Sequence, residues 1–350
     1  MSATEIGSRA CPLLSLASRN FTGFKRRLTL VLTALAAFVA STLLTRAIIP
    51  WLADQGAVAT ENERTMHQGR VPKGGGVALL IAAVATAAMV SPVRVLDPVL
   101  IIGTAILAYL SWRDDLAPLP ASIRLAVHLG VAALFVLNLP SDALIFQGWL
   151  PLPLDRLLGI IGLGWLMNLY NFMDGINGIV GVETVAITLG YVLIGATASS
   201  NSYDALAVAL MGASAGFLLW NMRAKPLVFL GDVGSVPLGF LMGALMIDLA
   251  VKGHWAAALI LPSYFLADAT LTLLMRLMRG EKPWQAHKTH FYQRAAAALG
   301  SHVAAVMRIA IANVALIGAA VWSLSSPWLS LATAALIVVA LLYALSRHRT

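Results

Sequence analysis

The chain has 350 residues, 59% of them hydrophobic and only 11% charged, with a mean hydropathy of +0.82. A soluble globular domain carries roughly 25% charged residues, so this composition excludes a large water-soluble core and indicates a chain that crosses a bilayer many times. The net charge of +8 is scattered over short loops between apolar runs, which argues for basic loops beside membrane spans and against nucleic acid as a partner.

A helix needs about 20 mostly apolar residues to cross the hydrocarbon core. On that ruler the sequence predicts spans near 28–51, 75–93, 96–112, 121–139, 155–172, 176–197, 204–221, 234–251, 255–275, 302–323 and 327–346. The expected fold is therefore all-α, a polytopic integral membrane protein of about eleven transmembrane helices, because separate segments in lipid have no other way to satisfy their backbone. Residues 1–27 read as an N-terminal extension, 28–346 as a single transmembrane domain and 347–350 as a tail. The apolar run after Lys25-Arg26-Arg27 exceeds the roughly 7–15 residues of a signal h-region, so it reads as a retained span. Cys11 is the lone cysteine, which excludes a disulfide framework within one chain. Fourteen Lys and Arg fall on one side of these spans, against Arg94, Arg156, Lys252 and five in the N-terminal segment on the other. The richer side is expected to be cytoplasmic, and the polar-rich loops 61–76, 113–118, 168–178, 221–235 and 279–294 all fall there.

In chain order, "RTMHQGRVPKGGGVALL" (64–80) offers His67, Lys73 and a run of glycine amides as contacts to a phosphate or sugar; alone, it also reads as a flexible connector. "SWRDDLAP" sets Asp114 beside Asp115 at a span terminus. Adjacent carboxylates repel and are costly at a membrane boundary without a cation, and Mg²⁺ with a phosphate substrate is the usual resolution. Arg124 would add a phosphate contact, although a solvated helix end is the plainer reading of this motif taken alone. In "NLYNFMDGING" (168–178), Asn168, Asn171, Asp174 and Asn177 recur every three residues and so line one side of a helix end. Asn177 or Asp174 suits a base or sugar, and Asn171 can offer an oxygen to a metal. "VFLGDVGSVPLGF" (228–240) holds Asp232 between Gly231 and Gly234, followed by Ser235, where close backbone approach and a helix N-terminus favour an anion. Phe229 offers a flat face for a base. "HKTHFYQR" (287–294) places His287 and His290 on one helix face among Lys288 and Arg294, a composition suited to phosphate rather than zinc. Within the spans, Glu183, Asp248, Asp268, His128 and Arg308 are functional candidates by default, with Asp268 reading as interhelical glue.

These loops, in this order, resemble the polyprenyl-phosphate N-acetylhexosamine-1-phosphate transferase family, glycosyltransferase family 4, on the side of its undecaprenyl-phosphate N-acetylglucosaminyl-1-phosphate transferases. The resemblance spans 64–294, about two-thirds of the chain, and its specificity lies in the conjunction of "DD", "NFMDGING", "FLGDVGS" and "HKTHFYQR". It implies a bacterial plasma-membrane enzyme of ten or eleven helices with a cytoplasmic active site. There a lipid phosphate attacks the β-phosphorus of a UDP-N-acetylamino sugar, giving a sugar-diphospho-lipid and UMP with Mg²⁺ required, Mn²⁺ being the alternative. Partners would be the UDP-sugar, undecaprenyl phosphate, membrane lipids and a second copy in a homodimer; the product would enter O-antigen or a related surface glycan.

By the same resemblance, Asp232 and Asn171 would hold the metal. Asp114 and Asp115 would orient or deprotonate the lipid phosphate, with Asp174 beside them. Phe229, Asn177 and Asn221 would bind the uracil end, His287, His290 and Arg294 the diphosphate, and His67, Lys73, Arg124 and Ser235 other parts of the substrates. Two departures set the chain apart from the pentapeptide-accepting branch of peptidoglycan synthesis: His-Lys-Thr-His in place of a run of consecutive His, and Pro-Lys-Gly-Gly-Gly in place of Pro-Thr-x-Gly-Gly. The Asn221-to-Asp232 interval also differs by one residue from the family's. From another class, a secondary transporter would use Asp248 and Asp268 as coupling carboxylates.

Overall fold

The computed structural model describes residues 12–55, 58–59, 71–91, 97–198, 202–282 and 287–347. His67 lies outside the described residues. The chain runs as α1 (Pro12–Asp54), a two-stranded antiparallel ribbon of β1 (Val58–Ala59) and β2 (Val71–Pro72), α2 (Gly76–Val90), α3 (Pro98–Leu116) and α4 (Ala121–Leu137). It continues through α5 (Leu152–Met173), α6 (Ile179–Ala198), α7 (Asp204–Asn221) and α8 (Asp232–Val251). It closes with α9 (Trp255–Ile260), α10 (Ser263–Met278), α11 (Phe291–Leu299), α12 (His302–Trp322) and α13 (Pro327–Ser346).

Helix starts follow local chemistry. Asp97 caps α3 by accepting from Val99 N at 2.8 Å, with Pro98 in the first turn where its missing N–H costs nothing. Ser301 caps α12 by accepting from Ala304 N at 3.2 Å, and Gly300, at φ +60°, ends α11 in the left-handed region. The apolar residues that remain uncovered lie on outer helices, among them Leu35, Ile311, Val314 and Leu336. In a bilayer these are the lipid-facing positions.

Seven helices are long and apolar enough to cross a membrane: α1 over Phe24–Asp54, α5, α6, α7, α8, α12 and α13. The expectation of about eleven spans is therefore met by seven among the described residues. Helices occupy all the other expected positions, but α2 and α4 are shorter, α3 carries Arg113, Asp114 and Asp115 in its last turns, and the run 255–275 is divided. The break falls at Leu261-Pro262, where proline removes a backbone donor and α10 starts afresh.

At the centre stands α8, buried along its length and packed against α2, α3, α5, α6 and α9. Small residues permit this closeness. A Cβ on Gly239 would stand 2.8 Å from Met167 Cα of α5, and one on Gly212 would fall 2.0 Å from Ala34 O, so α7 lies directly on α1. Between α6 and α12, Asn313 Nδ2 donates to Glu183 Oε2 at 2.7 Å. At one end of the bundle Trp255 packs edge to face on both Trp149 and Trp328, 5.0 Å from each, at the level where tryptophans gather at a membrane interface. The opposite end collects the polar loops.

Candidate active site

A cavity of about 340 Å³ opens at that polar end, lined from five separate stretches of chain. Lys73 follows β2; Asp114, Asp115 and Arg124 bracket the α3–α4 turn; Asn171, Asp174 and Asn177 come from the α5–α6 joint; Asn221, Phe229, Gly231 and Asp232 lead from α7 into α8; His287 and His290 precede α11. Residues more than two hundred positions apart thus share one chamber.

The paired carboxylates divide their work. Asp114 Oδ2 takes an ion pair from Arg124 Nη1 at 2.9 Å and its Oδ1 accepts from Leu119 N at 2.6 Å, which braces the α3–α4 turn. Asp115, the next residue round the helix, faces α8 and accepts from Val233 N at 3.4 Å. Gly231 lies at φ +75°, where a Cβ would stand 2.9 Å from Gly74 N and 3.0 Å from Asp115 Oδ2; only glycine fits this corner.

The glycine run before α2 does not serve as a phosphate nest. Gly75 N donates to Phe229 O at 2.9 Å and Gly76 N to Leu230 O at 3.0 Å, so these amides tie β2 and α2 to the segment entering α8. A Cβ on Gly76 would lie 2.2 Å from Gly234 Cα. Glycines expected to approach a ligand instead let two helices meet, and in doing so they set Lys73 beside Phe229, to which it is bridged.

At the α5–α6 joint, Asn171 Nδ2 donates to Ser235 Oγ at 3.3 Å, leaving its carbonyl oxygen as the atom it can offer to a cation. Ser235 is fully buried beneath the cavity rather than on its wall. Asn221 is committed at both ends, accepting from Gly178 N at 2.7 Å and donating to Val228 O at 2.9 Å. It therefore braces two site loops. Asn177 Nδ2 donates to Arg223 O at 2.9 Å, while its Oδ1 is buried with no partner among the described residues.

The histidines are held by residues from α10. Asp268 accepts from Phe291 N and Tyr292 N at 3.1 Å each, and its Oδ1 lies 3.1 Å from His290 Nδ1, so a buried acid caps α11 and orients the ring. His287 Nδ1 lies 2.6 Å from Arg276 Nη1, and the two imidazoles stack 4.9 Å apart. Arg294 is placed elsewhere: it lies over Phe291 and lines a separate indentation with Arg276 and Arg279. Sequence reasoning read Asp268 as glue and did not single out Arg276 or Gln293. The only signal was an acid and a base within an otherwise apolar helix. Asp248, the other transporter candidate, is locked to Lys252 at 2.7 Å and Tyr191 at 2.5 Å, at the end of the bundle away from the cavity.

The chamber is electrostatically strained. Asp115, past the apolar stretch of α3, has its carboxyl pushed up to about 7, first by burial and then by Asp232, with Lys73 pulling the other way. Asp174 is raised too, by burial and then by Asp232 and Asp115. Three carboxylates in one pocket call for a cation beyond Lys73. Among the described residues no three His, Cys, Asp or Glu side chains group to hold a metal ion. The donor set instead fits a cation that takes one carboxylate, Asp232, with the Asn171 oxygen and fills its other positions from phosphate and water, the habit of Mg²⁺.

Residues 98–250 match the family description "Glycosyl transferase family 4". A probable undecaprenyl-phosphate N-acetylglucosaminyl 1-phosphate transferase of Bacillus subtilis is 27% identical over 299 residues, 79% of this chain and 80% of the relative. A phospho-N-acetylmuramoyl-pentapeptide-transferase of Streptococcus mutans is 28% identical over 288 residues, covering 71% and 82%. The undecaprenyl-phosphate alpha-N-acetylglucosaminyl 1-phosphate transferase of Escherichia coli K12 is 24% identical over 255 residues, 68% of each chain. Joined to the many apolar helices and the convergent loops, these matches support glycosyl transferase family 4, and within it the undecaprenyl-phosphate N-acetylglucosaminyl 1-phosphate transferases, as what the chain is similar to, and they indicate a multi-pass membrane sugar-phosphate transferase.

Proposed function

We propose that the protein transfers an N-acetylamino-sugar 1-phosphate from a UDP-sugar to undecaprenyl phosphate on the cytoplasmic face, releasing UMP, as the first membrane step of a surface glycan such as O-antigen. What supports this most is the meeting of Asp115, Asp174 and Asp232 with Lys73, His287 and His290 in one chamber at one end of the bundle. Carboxylates and cations together are what a metal-assisted diphosphate needs, and in-line phosphoryl transfer is catalysed mainly by positioning and charge neutralisation. A bound Mg²⁺ would supply neutralisation of the diphosphate charge, held by Asp232 and Asn171. Lys73, His287 and His290 then fix the diphosphate oxygens by charge-assisted hydrogen bonds. Phe229 stacks the uracil, and the unpartnered Asn177 Oδ1 accepts from the nucleoside. The acceptor's phosphate monoester is already anionic near neutral pH, so Asp115 serves to place it rather than to strip a proton from a poor nucleophile.

Purified protein given UDP-GlcNAc, undecaprenyl phosphate and Mg²⁺ should release UMP, and Asp232→Ala should lose at least a hundredfold in rate while still purifying as a folded monodisperse species. Wild-type turnover in that variant would remove the proposed metal ligand. The Streptococcus mutans relative supports a second reading, a muramoyl-pentapeptide donor. Side-by-side donors decide it: UMP release from the UDP-muramoyl pentapeptide alone would replace the amino-sugar reading.

A further inference from the structure

Separate from the chamber is an indentation of about 350 Å³, lined by Thr272, Met275, Arg276 and Arg279 of α10 together with Thr289 and Arg294. Three guanidinium groups converge there, and no carboxylate is among the lining residues. Arg276 is fixed by Glu281, whose Oε2 accepts from its Nε at 2.7 Å. Arg279 and Arg294 form no ion pair among the described residues. Thr289 Oγ1 is buried beside them, again with no hydrogen-bond partner among the described residues. Arg276 also reaches the chamber, because its Nη1 lies 2.6 Å from Nδ1 of His287, a residue of the chamber wall.

The lining sets the chemistry of a ligand. Clustered cations repel unless an anion lies between them, and guanidinium forks match phosphate oxygens in shape as well as charge. A buried hydroxyl left without a partner is rare in folded proteins, and the threonine O–H can donate to the same oxygens. With no carboxylate to share a divalent cation, this site suits a phosphate neutralised by arginine alone, unlike the metal-assisted diphosphate of the chamber. No aromatic ring lines it, as stacking a base would require.

Helix α10 indicates what carries the phosphate. Its lining residues 272, 275, 276 and 279 share one face by helical spacing. The adjoining face presents Leu271, Leu274 and Met278, all left uncovered. A stripe of cations thus runs beside a stripe of bare apolar side chains, at the end of the bundle that holds the chamber. Basic pockets between membrane helices at that level take anionic head groups. A free anion would leave the apolar stripe bare; a phospholipid covers both.

We infer that this indentation seats the phosphodiester head group of an anionic membrane phospholipid, with its acyl chains along Leu271, Leu274 and Met278, and that the seated lipid steadies Arg276 against His287. The consequence for turnover rests on the function proposed above. Arg276 donates to Nδ1, which leaves the proton of a neutral His287 on Nε2, and a steadied ring presents that proton to the donor diphosphate. Arg276 is then a positioning residue.

Binding and turnover can be read separately. Short-chain phosphatidylglycerol should raise the melting temperature of the purified full chain in neutral detergent, whereas phosphatidylcholine of equal chain length and inorganic phosphate should not. Arg279→Gln combined with Arg294→Gln should raise the half-stabilising concentration at least tenfold. Lys225→Gln combined with Arg347→Gln removes equal charge at exposed positions outside the indentation and should leave that concentration within about twofold. In phosphatidylcholine vesicles, added phosphatidylglycerol should lower KM for the UDP-sugar severalfold with kcat little changed, and the Arg279–Arg294 double variant should not respond. Equal losses in the two double variants would reduce the effect to surface charge and overturn the inference. So would stabilisation by phosphatidylcholine, or by inorganic phosphate alone. Should the Arg279–Arg294 variant not fold, Arg279→Gln alone, at an exposed position, and Thr289→Val decide by the same melts. An unchanged KM would overturn the coupling to His287. Stabilisation by phosphatidylglycerol with no UMP release from any UDP-sugar would count against the function and leave the lipid seat standing.

Discussion

Asp114 and Asp115 are neighbours in sequence with opposite duties, because successive helix positions point about 100° apart. Asp114→Ala strands the half-buried Arg124 and frees Leu119 N, so unfolding should become easier by about 1–3 kcal/mol, read by thermal melts. Asp115→Asn keeps an acceptor for Val233 N and removes a charge that burial disfavours; without metal it should melt like wild type at pH 5 and above wild type at pH 8, and it should lose turnover. The raised carboxyls of Asp115 and Asp174 also set a stability profile. A carboxyl near 7 in the fold, against 3.8 for the ordinary group, binds more protons folded than unfolded in that window, so stability falls as pH rises through it. In EDTA the melting temperature should therefore drop between pH 5 and pH 8. Mg²⁺ should restore it at pH 8 and do little at pH 5, and a flat profile in EDTA would contradict the burial of these groups. The pairing of the two acids was legible as a motif, but not its division between a brace and a site. Nor was the grip of Asp268 on His290, which joins residues 22 positions apart through an acid inside an apolar helix.

At the scale of the element, packing governs where the site residues stand. The contact of α2 with α8 depends on Gly76 and Gly234, and a methyl group on Gly76 has nowhere to go except into the α8 backbone. Gly76→Ala should push α2 outward, carrying Lys73 with it, and the folded yield should fall together with activity. Gly130→Ala in α4 meets nothing within 4 Å and should leave both untouched, since alanine is the better helix former. Yield after detergent extraction, by size-exclusion chromatography, separates the two outcomes. Helix positions were legible because apolar runs of membrane length are unambiguous. The division of 255–275 was not, since Pro262 within a membrane helix is compatible with a kink as well as with a break. The glycine runs misled for a physical reason: close approach to a ligand and close approach to another helix require the same missing side chain.

For the whole molecule, the separation of its two ends is what gives the transfer a direction. Helix α5 has 22 residues, which at 1.5 Å per residue gives about 33 Å, matching the roughly 30 Å hydrocarbon core. The cavity end carries Lys73, Arg223, Lys225, Arg276, Arg279 and Lys288, whereas the tryptophan end has Lys252, tied to Asp248, and Arg156, buried against Asp155 and the 140–143 carbonyls. Arg26, from the basic N-terminal segment that opposed this orientation in the charge count, is paired with Asp204. One of that segment's five basic side chains is thus beside an acid, and the positive-inside rule is the ground for the proposal that the cavity end faces the cytoplasm, where nucleotide sugars are made. In a Cys11→Ser background, Ala224→Cys and Ser141→Cys put single thiols at exposed positions on the cavity and tryptophan ends. A membrane-impermeant maleimide should label the Ser141 position in intact cells and the Ala224 position only in inverted vesicles. The reverse pattern would put the carboxylate chamber outside the cell, away from any UDP-sugar, and the proposed reaction would have no donor.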